Sequence, residues 1–90
     1  MTIENLRVEI DALDEELLQI FNKRAALALQ IGHIKKRLDM PIYNPKREQH
    51  IFEKMQQLNP GPLDDQAIKR LFERVIDESR TLERIESKGR

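Results

Sequence analysis

The sequence predicts an all-helical chain of three helices, one long, one short and one of medium length. Three observations carry this. Apolar residues recur at alternating spacings of four and three over Leu6, Ile10, Leu13, Leu17, Ile20, Leu27, Ile31, Ile34 and Leu38, as an apolar seam along one long helix requires. Two proline-bearing breaks, Met40-Pro41-Ile42-Tyr43 and Asn59-Pro60-Gly61-Pro62, divide the rest into two further helical stretches. No stretch alternates apolar and polar residues as a half-buried strand does, and neither an internal repeat nor a low-complexity tract is present.

Thr2 suits the N-cap of the first helix, with Glu4 in the first turn where the helix dipole favours an anion. The helix is expected to run to Leu38, with no proline before Pro41. Glu9, Glu15, Glu16, Lys23 and Lys36 fall off the seam and read as a solvated face, as does His33. Gly32 permits a bend. Asn44 and Pro45 open the second helix, as a strong N-cap followed by a residue suited to the first helical position. It is expected to reach Leu58 through Ile51, Phe52 and Met55. The third is expected from Leu63 to Glu86 with Asp64 or Asp65 as cap, and the tail Ser87-Lys88-Gly89-Arg90 is expected to fray. Its seam is Ile68, Leu71, Phe72, Val75, Ile76, Ser79, Leu82 and Glu83.

Ninety residues make one small domain, 1–90, and a lone domain of that size buries only about 60% of its unfolded surface. The first helix would be about 50 Å long at 1.5 Å per residue, against a radius of gyration of about 12 Å for a compact chain of this length. It overhangs any monomeric core, so an oligomer is expected. Sixteen basic and sixteen acidic residues cancel and are interspersed, which argues against nucleic acid as a partner. One Tyr and no Trp also leave few base-stacking platforms. With no Cys there is neither a disulfide framework nor a thiolate metal site. No apolar run is long enough to span a membrane and no signal peptide is seen, so the expected location is the cytoplasm.

One residue breaks the first seam. Arg24 stands where a Leu belongs, and a buried guanidinium without an anionic partner is very costly. Lys35 lies eleven residues on, about 20° of rotation and about 16 Å of rise away, so the two share a face. Arg47 and Glu48 stand in the first turn of the second helix, where backbone amides also point outward. Ser79 and Glu83, four apart, interrupt the third seam on one face. This set is rich in donors and fits a small, multiply anionic ligand held between helices. The plainer reading of each residue stands beside it. Arg47 and Glu48 can form a surface pair, Lys35-Lys36-Arg37 can answer the helix dipole, and Arg24 can form a structural ion pair with Glu83 or Glu48.

Taken in order, Leu6-Arg7-x-x-Ile10-Asp11-x-Leu13-Asp14, Arg24, Ile31-Gly32-x-x-Lys35, Pro41-Ile42-Tyr43-Asn44-Pro45-Lys46-Arg47-Glu48 and Phe72-x-x-Val75-Ile76-x-x-Ser79 resemble the all-helical class of chorismate mutases. The resemblance covers nearly the whole chain. It implies an intertwined homodimer with two active sites, each using both subunits, and the cofactor-free, metal-free [3,3] rearrangement of chorismate to prephenate in phenylalanine and tyrosine biosynthesis. It also implies roles. Arg7 reaches in from the other subunit, Arg24 grips a substrate carboxylate, and Lys35 bonds the ether oxygen and a carboxylate. Arg47 and Ser79 help hold the substrate, Glu48 takes its hydroxyl, and Lys35 and Glu83 would stabilise the charge that grows on the ether oxygen. Asn44 stands at a substrate-side position where many members have Asp, and Glu83 where many have Gln. For Glu83, burial favours the neutral carboxyl, while Lys35 and Arg24 are expected to oppose it. Arg7 lies 17 residues before Arg24, about 25 Å along one helix, so one small substrate reaches both only if a second chain supplies Arg7. The alternatives are an isochorismate-pyruvate lyase of the same architecture and a non-catalytic helical dimerisation module. Docking on another enzyme of the aromatic pathway stays open.

Overall fold

The computed structural model describes residues 1–88, which form three helices, α1 (Ile3–Arg37), α2 (Pro45–Leu58) and α3 (Asp65–Lys88), with no strand among the described residues. No helix among them is long and apolar enough to cross a membrane.

The caps read from the sequence form as expected. The Thr2 hydroxyl oxygen accepts the Asn5 N–H at 3.1 Å, and Asn44 Oδ1 accepts the Arg47 N–H at 3.1 Å with Pro45 in the first turn. The end of α1 is set by a feature that seam spacing does not show. Asp39 adopts a left-handed conformation, φ 55°, so the chain reverses before Pro41 is reached. The Met40 N–H then bonds the Lys35 carbonyl at 2.8 Å and the Asp39 N–H the Lys36 carbonyl at 3.3 Å. This is the Schellman arrangement, which satisfies carbonyls otherwise orphaned at a helix end.

The third helix begins two residues later than expected. Asp64 is its cap, with Oδ1 accepting the Ala67 N–H at 2.7 Å. Leu63 is held in the preceding turn because its carbonyl accepts from Asn59 Nδ2 at 2.7 Å. Asn59 Oδ1 takes the Gly61 N–H at 3.0 Å, and Gly61 sits at φ 73°, a conformation that favours glycine. Helix α3 continues through Lys88, past the start of the tail expected to fray; Gly89 and Arg90 lie outside the described residues.

Although α1 is the longest element, α3 is the one the others rest on. Both α1 and α2 pack against α3, and the two do not pack on each other. The best-buried side chains lie on α3, Ile76 and Ser79, each 8% exposed. Every residue from 1 to 23 is exposed. The seam residues Leu6, Ile10, Leu13, Leu17 and Ile20 therefore face solvent in the single chain. The extents of 54 × 27 × 14 Å and the radius of gyration of 16.2 Å reflect this overhang, against about 12 Å for a compact chain.

Candidate active site

A concavity of about 330 Å³ opens where the C-terminal half of α1, the start of α2 and the middle of α3 meet. Its lining includes Arg24, Lys35, Asn44, Arg47, Glu48, Ser79 and Glu83, so the fold brings together every residue singled out in the sequence except Arg7. That side chain lies far up α1, exposed, with Nη1 3.2 Å from Glu4.

Arg24 is not a structural ion-pair partner among the described residues. Its Nη1 donates to Ser79 Oγ at 3.2 Å, and no ion pair joins it to Glu48 or Glu83. Burial first, and Arg47 facing it second, hold its pKa below the ordinary arginine value. A guanidinium stays charged under such a shift, so the seam holds an underused cation close to a second one. A partly desolvated cation with a second one facing it is what a ligand anion relieves.

The ammonium of Lys35 donates to the Ile42 carbonyl at 3.0 Å. The Schellman turn makes this bond reachable, because it folds the connector back along the last turn of α1. An ammonium carries three donors, so two stay available.

Glu83 sits against Gly32. A Cβ added at Gly32 would lie 3.0 Å from Glu83 Cγ and 3.3 Å from Cδ. The glycine is therefore where the side chain of α3 settles on the backbone of α1, and the helix runs through it unbroken. Burial raises the Glu83 pKa above the ordinary carboxylate value; Lys35 and then Arg80 pull it back without cancelling the rise. Of the two cations expected to oppose the rise, Lys35 does so, whereas Arg80 takes the place of Arg24.

Arg80 is the residue that sequence reasoning missed. Its Nη1 donates to Glu48 Oε2 at 2.8 Å and its Nη2 to Asp77 Oδ1 at 2.6 Å. Its guanidinium carbon lies 4.9 Å from the centre of the Tyr43 ring. Glu48 is therefore paired across to α3, not with Arg47 beside it. The signal available was the Asp77–Arg80 spacing of three, which puts opposite charges on one helix face.

The site as a whole offers three cations from α1 and α2, a hydroxyl, a carboxylate held by Arg80 and a carboxyl group whose pKa burial raises. Among the described residues no group of three or more His, Asp or Glu side chains could hold a metal ion.

Comparison with known proteins points to one family. The chorismate mutase type II family matches residues 6–84. A bifunctional chorismate mutase/prephenate dehydratase of Aquifex aeolicus is 40% identical over 86 residues, covering 91% of this chain and 24% of the relative. The chain thus spans about a quarter of that protein's length. A chorismate mutase of Methanocaldococcus jannaschii is 26% identical over 83 residues, covering 91% of this chain and 84% of the relative. Among solved structures, chorismate mutase from Helicobacter pylori in complex with prephenate superposes with a TM-score of 0.89 at 40% identity, covering 96% of this chain and 93% of that one. A chorismate mutase of Thermus thermophilus gives a TM-score of 0.90 at 35% identity, covering 91% and 93%. With sequence match and helical architecture in agreement over nearly its full length, this chain belongs to the chorismate mutase type II family.

Proposed function

We propose that this chain is a chorismate mutase that rearranges chorismate to prephenate as a homodimer with shared active sites. The observation that carries the reading is the convergence of Arg24, Lys35, Arg47, Ser79 and Glu83 on one concavity between three helices. Chorismate is a dianion, and the Helicobacter pylori relative of the same fold was solved with prephenate, the product of that reaction.

The reaction breaks one C–O bond and forms one C–C bond within a single molecule, so no atom leaves and no nucleophile is needed. The first task of the site is to hold the substrate compact, with the two ends that will bond in contact, which is a proximity effect. Arg24, braced by Ser79, takes one carboxylate, with Arg47 beside it. Lys35 reaches the ether oxygen and a carboxylate, and Glu48 accepts from the ring hydroxyl. As the C–O bond breaks, negative charge grows on the ether oxygen. The Lys35 ammonium donates to it, as does the Glu83 carboxyl in its protonated form, both fixed in advance by the fold, which is the electrostatic contribution that dominates in such sites.

The second carboxylate needs a further cation, and Arg7 of the same chain is about 25 Å along α1 from Arg24. A second chain laid along the exposed seam from Leu6 to Ile20 would supply its Arg7 and cover those residues together. This supports an intertwined pair, in which each α1 lends its first turns to the partner's site.

The test is turnover of chorismate by the purified chain, with isochorismate run in parallel. Prephenate formed from chorismate supports the proposal. Pyruvate released from isochorismate, with chorismate untouched, sinks it in favour of the lyase. If neither substrate reacts and a dicarboxylate analogue of the transition state leaves the melting temperature unmoved, the chain is a helical module. A ligand at 100 times its dissociation constant adds about 2.7 kcal/mol.

A further inference from the structure

We infer that Arg80 is a positioning residue for the reaction, holding the Glu48 carboxylate in the one orientation that receives the substrate hydroxyl. The inference rests on the chorismate mutase reading above. Arg80 is fixed on three sides: Asp77 one turn back on α3 at 2.6 Å, Glu48 across on α2 at 2.8 Å, and the Tyr43 ring of the connector at 4.9 Å. Arg80 and Glu48 are each 20% exposed in their side chains, whereas Asp77 is 55% exposed. The pair is thus partly shielded from water and anchored from the wet side.

The place of the pair in the molecule gives this anchoring its meaning. Arg80 and Glu48 line the candidate site, and they also line a second, larger and more open concavity of about 550 Å³ that holds Tyr43, Phe52, Lys69 and Asp77. The ion pair is therefore the partition between the reaction site and an open groove. A glutamate has three rotatable bonds, and beside an open groove its carboxylate can turn away from the substrate. A guanidinium fork offers paired donors in a rigid plane. With one carboxylate oxygen held by Arg80, the second is left for the hydroxyl in a fixed place. Asp77 and Tyr43 fix the guanidinium in turn, so the chain of support runs from exposed surface to substrate through charge-assisted contacts.

Arg80 does not touch the substrate in this scheme; beyond its downward pull on the Glu83 pKa, its effect passes through the contact of Glu48 with the substrate hydroxyl. That contact exists in the bound substrate as much as in the transition state, and its loss weakens binding more than turnover. The experiment compares wild type, Arg80→Met, Arg80→Lys, Asp77→Asn and Glu48→Ala, plus each of the first three variants combined with Glu48→Ala. Steady-state chorismate kinetics and melting temperatures are measured for all. Arg80→Met is expected to lower kcat/KM by about 10- to 100-fold, the range for a charged hydrogen bond, mainly through KM. Arg80→Lys, which keeps the charge without the fork, should recover part of the loss, and Asp77→Asn should show a smaller loss of the same kind. On the Glu48→Ala background all three should change kcat/KM by less than about threefold, because residues acting through one another are not additive. Losses that multiply on that background, or a fall in kcat at unchanged KM, overturn the inference. If Arg80→Met fails to fold, Asp77→Asn and Arg80→Lys carry the same comparison. Arg80 variants that turn over chorismate as wild type does reject the inference alone, whereas absence of wild-type turnover rejects the functional reading and the inference with it.

Discussion

Replacing Gly32 by alanine is a one-methyl perturbation whose two consequences, for stability and for rate, can be separated. The added Cβ would stand 3.0 Å from Glu83 Cγ, 3.3 Å from Cδ and 3.5 Å from Cβ. Carbon atoms rest at about 3.5–4.0 Å, so the outer part of the Glu83 side chain must retreat by roughly half an ångström to one ångström. Alanine in mid-helix is favoured over glycine by about 0.8–1.0 kcal/mol. Pushing aside one flexible side chain costs about 1 kcal/mol, the low end of overpacking. The two nearly cancel, and the melting temperature should stay within about 5 °C of wild type. The rate should not be spared, because misplacing a reacting group by about 1 Å costs about 100-fold. Expected is a fall in kcat of about 10- to 100-fold with little change in stability. Glu83→Ala supplies the control. It removes Cγ and Cδ and leaves only the ordinary 3.5 Å contact. On that background Gly32→Ala should raise the melting temperature by about 4–8 °C and leave the residual rate alone. Circular dichroism melts and chorismate turnover of the four proteins decide it. A Gly32→Ala protein as fast as wild type, or one that loses rate equally with and without Glu83, refutes the idea that this contact places the carboxyl group.

Glu83 has its pKa raised by burial, and only its neutral form donates a hydrogen bond. The rate should therefore fall as pH rises through that pKa, and Glu83→Gln should retain activity without the fall; a flat wild-type profile counts against the assignment. The same shift links to stability, because the native state favours the neutral carboxyl. Its stabilising effect is present below the ordinary carboxylate pKa and is lost as pH rises through the native one. Urea melts across that range should show a decline in wild type that Glu83→Gln lacks. Arg24→Leu should abolish turnover and change stability by no more than about 1 kcal/mol, since it gives up one hydrogen bond to Ser79 and relieves a cation held near Arg47. A much larger loss in denaturant melts would make Arg24 a structural residue. Finally, unfolding and refolding Arg7→Ala with Arg24→Ala should restore activity in mixed dimers, one of whose two sites keeps both arginines. Failure of every mixture to recover rules out the shared site.

Much of this molecule can be read from its sequence, for reasons that are local. The helices follow from seam spacing, and their starts from Thr2 and the Asn44-Pro45 pair, because caps act within one turn. What escapes such reading depends on backbone conformation or on contacts between helices. Asp39 ends α1 in a left-handed conformation that an aspartate seldom adopts. Gly32, which on its own permits a bend, instead admits Glu83 from another helix. The pocket residues are legible because a cation in an apolar seam, and a hydroxyl and carboxylate in another, contradict their surroundings. Arg80 contradicts nothing around it in the sequence. Its importance comes from Glu48 and Tyr43, 32 and 37 positions away, which only the fold brings within reach.

Because α1 and α2 both rest on α3 and not on each other, α3 works as a gauge bar that sets the gap between them. Three of the four cations that line the site, Arg24, Lys35 and Arg47, come from the two outer helices, while Ile76 and Ser79 on α3 form the closely packed floor. The molecule thus draws most of its positive charge and its packed floor from separate pieces of chain. Most of the positive charge facing a guest is written on α1 and α2, and the floor beneath it on α3. Bulk added at Ser79 would raise that floor and also displace Arg24 from the hydroxyl that braces it.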